Sequence, residues 1–496
     1  MSAFSASEEQ PGGGPAGTVP PVAPVAPAGR AGRGRRDLTS GPIGATLMKF
    51  ALPTLLSNVL QSLNGSINAV WVGRFLGEGA LAATSNANII MFLLFGAVFG
   101  FGMAATIIVG QSWGRRDIEA ARRAFGSAIG LVLLSSLVVA ALGWVFAPQI
   151  LHGLATPPGA FQPALDYLRV IFLALPASML VVLVFMGLRG TGDSITPMIF
   201  MGLCVALDAG LNPLLIAGIG PFPRMGITGA ATATLIANVV TLGALALYVM
   251  WRDLPLRLRG AEWRYILPER ALVGTIVGKG LPIGAQMLVL SISSLAMIGL
   301  VNRNGIDTVA AYGITMQLWG YVQMPAMAIG AAVSAMAAQN IGAGRWDRVA
   351  RITRSGLIYN IALTGALVSL ALVFDRATLA LFLGAESPAL PIARHINLTA
   401  TWSFLMFGAT MVLFGTVRAN GAVWGPLMVL TISMFPVRLG AAVMLHPLLG
   451  VDALWWSFPI GSAANVVLAA LYYRYGPWRR GKLLVPAEGN AAIGAA

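Results

Sequence analysis

The sequence predicts an all-α polytopic membrane protein, with twelve transmembrane helices in two parallel six-helix repeats that form a central cleft. Three observations predict it. Of 496 residues, 57% are hydrophobic and only 10% are charged, with a mean hydropathy of +0.78, whereas a soluble domain is about a quarter charged. The apolar residues form continuous runs of the length a helix needs to cross a bilayer, about 20 residues. These are not the short alternating strands of a barrel. Finally, the second half of the chain repeats landmarks of the first.

Residues 1–40 are rich in Pro, Gly and Ala and end in Arg30, Arg33, Arg35 and Arg36. Such a segment cannot bury enough apolar surface to fold, and a disordered cytoplasmic tail is expected. It has no apolar core of its own, so no secretory signal peptide is expected there. Six apolar runs follow, at 46–72, 82–113, 122–146, 164–188, 195–217 and 227–250, within a first lobe over 41–250. A basic cytoplasmic connector over 251–272 carries Arg252, Arg257, Arg259, Arg264 and Arg270. Six further runs, at 273–301, 308–341, 352–374, 392–417, 424–446 and 453–473, make a second lobe over 273–475, before a cytoplasmic tail at 476–496.

The lobes correspond. Pro53, Arg74, Arg189, Gly192 and Pro197 match Pro282, Arg303, Arg418, Gly421 and Pro426 at one separation of 229 residues. Gln111, Gly114 and Arg123 match Gln339, Gly342 and Arg351 at 228. Six spans per repeat is an even number, so the repeats share an orientation and are related by an axis along the membrane normal. Two such bundles leave a cleft between them, and alternating access by rocking follows from that geometry.

A net charge of +14 would suggest nucleic acid as a partner of a soluble protein; here the positions of the cations matter more. Alternate loops hold Arg115, Arg116, Arg122, Arg123, Arg189, the connector, Arg345, Arg348, Arg351, Arg354, Arg418, Arg474, Arg479, Arg480 and Lys482, while the opposite loops hold only Arg74, Arg224, Arg303 and Arg376. The positive-inside rule then puts both termini in the cytoplasm, as in a multi-pass protein of the inner or plasma membrane. The lipid bilayer is the expected partner and nucleic acid is not. One cysteine, Cys204, cannot form an intramolecular disulfide, and His152, His395 and His446 lack metal-ligand spacing, so no metal site or cofactor is expected. No P-loop, HExxH or GxSxG motif in suitable context appears, and no catalytic residues are expected.

Candidate functional residues are polar groups inside the spans. Asp208 is the one carboxylate well within a run, roughly 20 Å along its helix from the cytoplasmic end. Burying an ionised carboxylate in hydrocarbon is costly, so Asp208 either lines an ion or substrate pathway or is a protonated acid bonded between helices. Asn212, one turn on, shares its face and precedes Pro213. The first span also carries Asn58, Gln61, Asn64 and Asn68, and the second Asn86 and Asn88. In the second lobe Gln286, Gln317 and Gln323 correspond to these amides, and Arg438 lies mid-span, with Arg394 near an outer end. Such amides face the cleft or bond neighbouring helices. Arg438 needs a partner, a carbonyl or a substrate anion. Methionines and aromatics, among them Met91, Phe92, Met316 and Trp319, would give the cleft an adaptable apolar lining or serve as ordinary packing.

Several short stretches carry a family resemblance: Leu52-Pro53, Trp71-Val72-Gly73-Arg74-Phe75-Leu76-Gly77, Gln111-Ser112-Trp113-Gly114, Leu188-Arg189-Gly190-Thr191-Gly192-Asp193, Asn212-Pro213-Leu214-Leu215-Ile216, Gly229-Ala230-Ala231-Thr232-Ala233-Thr234 and Gln339-Asn340-Ile341-Gly342-Ala343-Gly344. In their order and span they resemble the multidrug and toxic compound extrusion (MATE) family of transporters. The resemblance implies secondary antiport, in which protons or sodium enter while small amphipathic, often cationic, organic compounds leave. Proton-coupled relatives have an aspartate where this chain has Asn68, and in helix 5 an asparagine followed four residues later by an aspartate and a proline; here the order is Asp208, then Asn212-Pro213. Sodium-coupled relatives use acids in helices 7 and 10, which are missing here. The expected ion-coupling set is therefore Asp208, Asn212, Asn68 and Thr234. The expected substrate cleft comprises Gln61, Asn64, Asn88, Gln286, Met316, Gln317, Trp319 and Arg438, in a monomeric transporter. The alternative is a flippase of lipid-linked saccharides, whose anionic phosphates would meet Arg438 and Arg394.

Overall fold

The computed structural model describes residues 37–77, 80, 96, 99–153, 156, 158–384 and 386–480. The first half contains α1 (Ile43–Leu76), α2 (helical over 99–114), α3 (Ile118–Gly153), α4 (Pro158–Gly190), α5 (Ile195–Ala217) and α6 (Ile227–Trp251). The second contains α7 (Arg270–Val301), α8 (Ile306–Val322) running into α9 (Met324–Gly342), α10 (Trp346–Val373), the short α11 (Asp375–Leu383), and α12 (Ala389–Ala400) running into α13 (Phe404–Ala419). It continues with α14 (Trp424–Ile432), α15 (Gly440–Met444), the short α16 (His446–Leu449) and α17 (Asp452–Tyr475). Among the described residues, eleven helical stretches are long and apolar enough to cross a membrane. The run expected over 82–113 is described mainly from residue 99 on, where it is helical.

Three spans of the second half are built from two pieces, for identifiable reasons. Between α8 and α9 the helix breaks at Gln323, and Pro325 occupies the first turn of α9, where a missing N–H has no partner to lose. A single 3-10 turn, Thr401–Ser403, joins α12 to α13. A π-helical segment, Ser433–Leu439, surrounds Pro436 between α14 and α15. Such widened turns recur at functional positions, and this one carries Arg438.

Each half has its own core. One apolar cluster runs through the first half, including Phe125, Leu168, Phe172, Leu183 and Leu245; another in the second gathers Tyr312, Trp319, Leu390, Trp455 and Phe458. The halves interlock near the end that carries the connector. There Leu38, Leu47 and Phe50 pack with Ile329, Val333, Met336, Ile352 and Val412. Ile107 meets Ile283 and Val423.

Two segments are more fixed than their composition suggests. The last residues of the expected amino-terminal tail are held in place. Leu38 is fully buried, its carbonyl accepts from Asn340 Nδ2 at 3.0 Å, and the Thr39 carbonyl accepts from Arg345 Nη1 at 2.6 Å. The connector lies flat on α3, with Leu254, Leu256 and Leu258 buried. Arg122 on α3 donates to the Pro255 carbonyl and to Glu262, both at 2.9 Å. Gly126 and Gly130 make this approach possible, since a Cβ at either would strike the connector backbone at Tyr265 or Ile266.

Candidate functional site

Asp208 is 1% exposed and sits where α1, α5 and α6 meet. The small-residue face of α6, Gly229, Ala230, Ala231 and Ala233, draws α5 close, and a Cβ at Gly229 would overlap the Leu215 backbone. Three uncharged donors converge on the carboxylate. Asn64 Nδ2 on α1 donates to Oδ2 at 2.8 Å, while Thr234 Oγ1 on α6 and Asn212 Nδ2 on α5 donate to Oδ1 at 3.1 and 3.3 Å. Asn212 Nδ2 also reaches the Asp208 carbonyl at 2.8 Å, which its position one turn on makes possible. Asn238 extends the network, donating to the Thr234 carbonyl at 2.8 Å.

Among the described residues no cation pairs with Asp208. The two other buried aspartates are accounted for. Asp193 accepts from the backbone N–H groups of Ile195 and Thr196, both at 3.0 Å, at the start of α5, where a carboxylate also meets the positive end of the helix dipole. Asp375 pairs with Arg394 at 2.7 Å. Around Asp208, in contrast, the side-chain oxygens of Asn64 and Asn212 are buried without a hydrogen-bond partner among the described residues. The cluster thus offers donors to a carboxylate, and oxygen acceptors to a proton or a small hard cation.

Of the expected coupling residues, Asn212 and Thr234 are brought to Asp208. Asn68 is not: no hydrogen bond joins the two described residues, and Asn64, expected to line the cleft, takes that place one turn nearer the connector end. The reason is helix register, since only one turn of α1 faces Oδ2. The expected cleft set divides. Gln61 and Gln317 are exposed and Met316 is half-buried, whereas Asn88 lies outside the described residues.

Gln286 is buried, and its side-chain oxygen accepts from Arg418; it restrains an arginine and is not an open cleft group. Trp319 is core and not lining. It is 4% exposed, donates to Thr401 Oγ1 at 2.7 Å, and packs 4.8 Å from the Phe458 ring. A long apolar helix does not announce which of its faces meets its own half. Arg438 has no carboxylate partner among the described residues; its guanidinium lies 3.8 Å over the centre of the Phe458 ring. Arg394, the second cation of the flippase alternative, is paired within the protein.

Reading the sequence alone assigned no contact to the repeated Gln-x-x-Gly motifs, yet they join the halves. Gln111 Nε2 on α2 donates to the Ala419 carbonyl at the end of α13, at 2.8 Å. Gln339 Nε2 on α9 donates to the Gly190 carbonyl at the end of α4, at 2.9 Å. Between them the backbones touch: a Cβ at Gly114 would fall on the Gln339 carbonyl, and one at Gly342 on the Gln111 carbonyl. The signal available was the identical spacing of glutamine and glycine in both halves. It could not say that the two motifs face each other.

The MatE family model matches twice, over residues 53–214 and 282–444, with the matches starting at the paired prolines. The chain belongs to the MatE family. Its relatives include a probable multidrug resistance protein of Bacillus subtilis (strain 168), YoeA, 34% identical over 433 residues that cover 87% of this chain and 93% of that one. Another from the same organism, YpnP, is 30% identical, with 90% and 98% covered. Among solved structures, an outward-facing multidrug resistance MATE family transporter superposes with a TM-score of 0.81 at 20% identity, covering 89% of this chain and 97% of that one. At that identity the likeness speaks for the fold, and it agrees with the all-helical membrane architecture found in this MatE protein.

Proposed function

We propose that this protein is a secondary active antiporter of the inner or plasma membrane, exporting amphipathic or cationic organic compounds in exchange for protons or sodium by alternating access. Names of relatives such as the multidrug resistance proteins of Bacillus subtilis support export of small organic compounds. The observation that carries the ion-coupled part is the Asp208 cluster, a carboxylate inside a span with three uncharged donors, unfilled amide oxygens beside it and, among the described residues, no cation paired with it.

In this reading the ionised carboxylate takes the three donated bonds. A proton arriving at Asp208 turns one carboxylate oxygen into a donor, and it needs an acceptor; rotation of the Asn64 or Asn212 amide presents its free oxygen and removes a clash between donors. A sodium ion would instead be held directly by the carboxylate and amide oxygens, the ligands a hard cation prefers. Either event changes what α1 offers to α5 and α6, so it biases the packing of the first half. Because α1 is anchored to the second half near the connector end through Leu47 and Phe50, that bias reaches the contact between the halves. The cleft would lie between the halves, with exposed Gln61 and Gln317 among its polar groups. The protein acts as a monomer with both termini cytoplasmic, where the basic loops would lie, and has no catalytic or nucleic-acid role.

The test is drug efflux from proteoliposomes with pH and sodium gradients imposed separately. Wild type should respond to one of them, and Asp208→Asn, which keeps the shape but not the charge, should lose that response. Gradient-driven efflux by Asp208→Asn at the wild-type rate would sink the proposal.

A further inference from the structure

Arg438 stands 230 residues after Asp208, within one residue of the offset that relates the halves. Corresponding places in the two halves therefore carry opposite charge. The acid is satisfied by local donors; the arginine is not. It projects from the π-helical segment at Pro436, with its stem against Gly461 of α17, where a Cβ would meet Arg438 Cβ at 2.8 Å. Its guanidinium carbon lies 3.8 Å from the centre of the Phe458 ring, and Nη1 is 3.6 Å from the sulfur of Met434. Nε is buried and makes no hydrogen bond among the described residues. The surroundings are the aromatic packing of Tyr312, Trp319, Trp455 and Phe458.

A ring face and a thioether offset only part of the cost of holding a guanidinium inside a span. Snorkelling would carry the charge towards the helix end, yet here the group is turned sideways onto α17 with one edge unsatisfied. A guanidinium presents parallel N–H donors that match a carboxylate or phosphate, and such a charge-assisted pair is what this edge lacks. Packing explains the stem. It does not explain a charge where Leu or Met would pack as well.

We propose that Arg438 is an anion subsite of the transport cleft, which takes the carboxylate or phosphate of an amphipathic organic substrate while its ring system lies against the apolar surface beside Phe458. This deepens the transporter reading and rests on it. It extends the substrate class from cations to zwitterions and amphipathic anions, with the acidic group bound by the second half.

Binding to the detergent-solubilised full chain tests this apart from transport, so its failure leaves the efflux experiment with Asp208→Asn untouched. The probes are rhodamine 110, which bears a free carboxylate, and rhodamine 123, its methyl ester. The readout is the ratio of their dissociation constants by fluorescence polarisation. In Arg438→Gln that ratio should shift at least tenfold against the acid relative to wild type. In Arg438→Lys, which keeps the charge but not the planar fork, it should shift severalfold in the same direction, and this variant decides the matter if the glutamine protein does not fold. A ratio within threefold of wild type in the folded variant would overturn the subsite. So would displacement of rhodamine 110 from wild type by phosphatidylglycerol but not by a soluble aromatic carboxylate such as naphthoate, which would give the arginine to a lipid headgroup.

Discussion

At the scale of single residues, this transporter sets one acid apart from the rest of its charges. Asp208 could be found from the sequence because an isolated carboxylate deep in an apolar run is costly wherever the helix faces. Its partner Asn64 could not, because the two are 144 residues apart in sequence and only the rotation of α1 about its axis decides which of its several amides meets the acid. The pair makes a measurable claim. Asn64→Leu leaves one carboxylate oxygen without its donor and should lower stability by about 1–3 kcal/mol. It should be read as a lower thermal midpoint in detergent together with weakened gradient-driven efflux. The same change at Asn68, which makes no bond to Asp208, should leave coupling much closer to wild type; equal losses at both positions would mean that register in α1 does not matter.

At the scale of elements, the Gln-x-x-Gly contacts between the halves are backbone approaches permitted by glycine and sealed by glutamine. Gly342→Val puts branched bulk where the Gln111 carbonyl lies and should cost about 1–3 kcal/mol as an overpacked site. Thermal unfolding would show it, whereas Val at Gly274, which has open space around it within α7, should cost nothing, since valine is the better helix former of the two. The amino-terminal segment adds a pH-dependent contact. Burial works against ionisation of Asp37, but the Thr39 hydroxyl and N–H, the Ser40 hydroxyl and the nearby Arg116 together hold its carboxyl below the ordinary range. A depressed carboxylate stabilises the folded segment fully above its unfolded value of about 4 and loses that contribution as pH falls through the lower folded value. Hydrogen exchange at residues 38–41 should therefore quicken, relative to α1, between pH 5 and pH 3. In Asp37→Asn that difference should vanish.

At the scale of the whole molecule, the proposed alternating access would require the contact between the Gln-x-x-Gly motifs to open. A Cβ at Gly110 would lie 3.0 Å from the Ala338 Cβ, inside the roughly 3.5–4.5 Å between the Cβ atoms of a disulfide, so a small outward shift of the two helices would admit the bridge. The double variant Gly110→Cys/Ala338→Cys, with Cys204 replaced by serine, should stop transport when oxidised and recover it on reduction. Transport that continues with the bridge formed would place the moving interface elsewhere. The membrane architecture, the positions of the long helices and the isolation of Asp208 were legible in the residues alone, because hydropathy and the cost of a buried charge act locally and do not depend on neighbours. The repeated glutamines and glycines could be seen as landmarks but not as a mutual contact. That Trp319 is core, that Gln286 holds Arg418, that Arg394 is paired while Arg438 is not, and that Asn64 rather than Asn68 meets the acid were decided only by the tertiary structure. In a chain where nearly every helix is apolar on all sides, periodicity does not mark an inward face. Which side chains meet is then set by how small residues let the helices approach and rotate against one another.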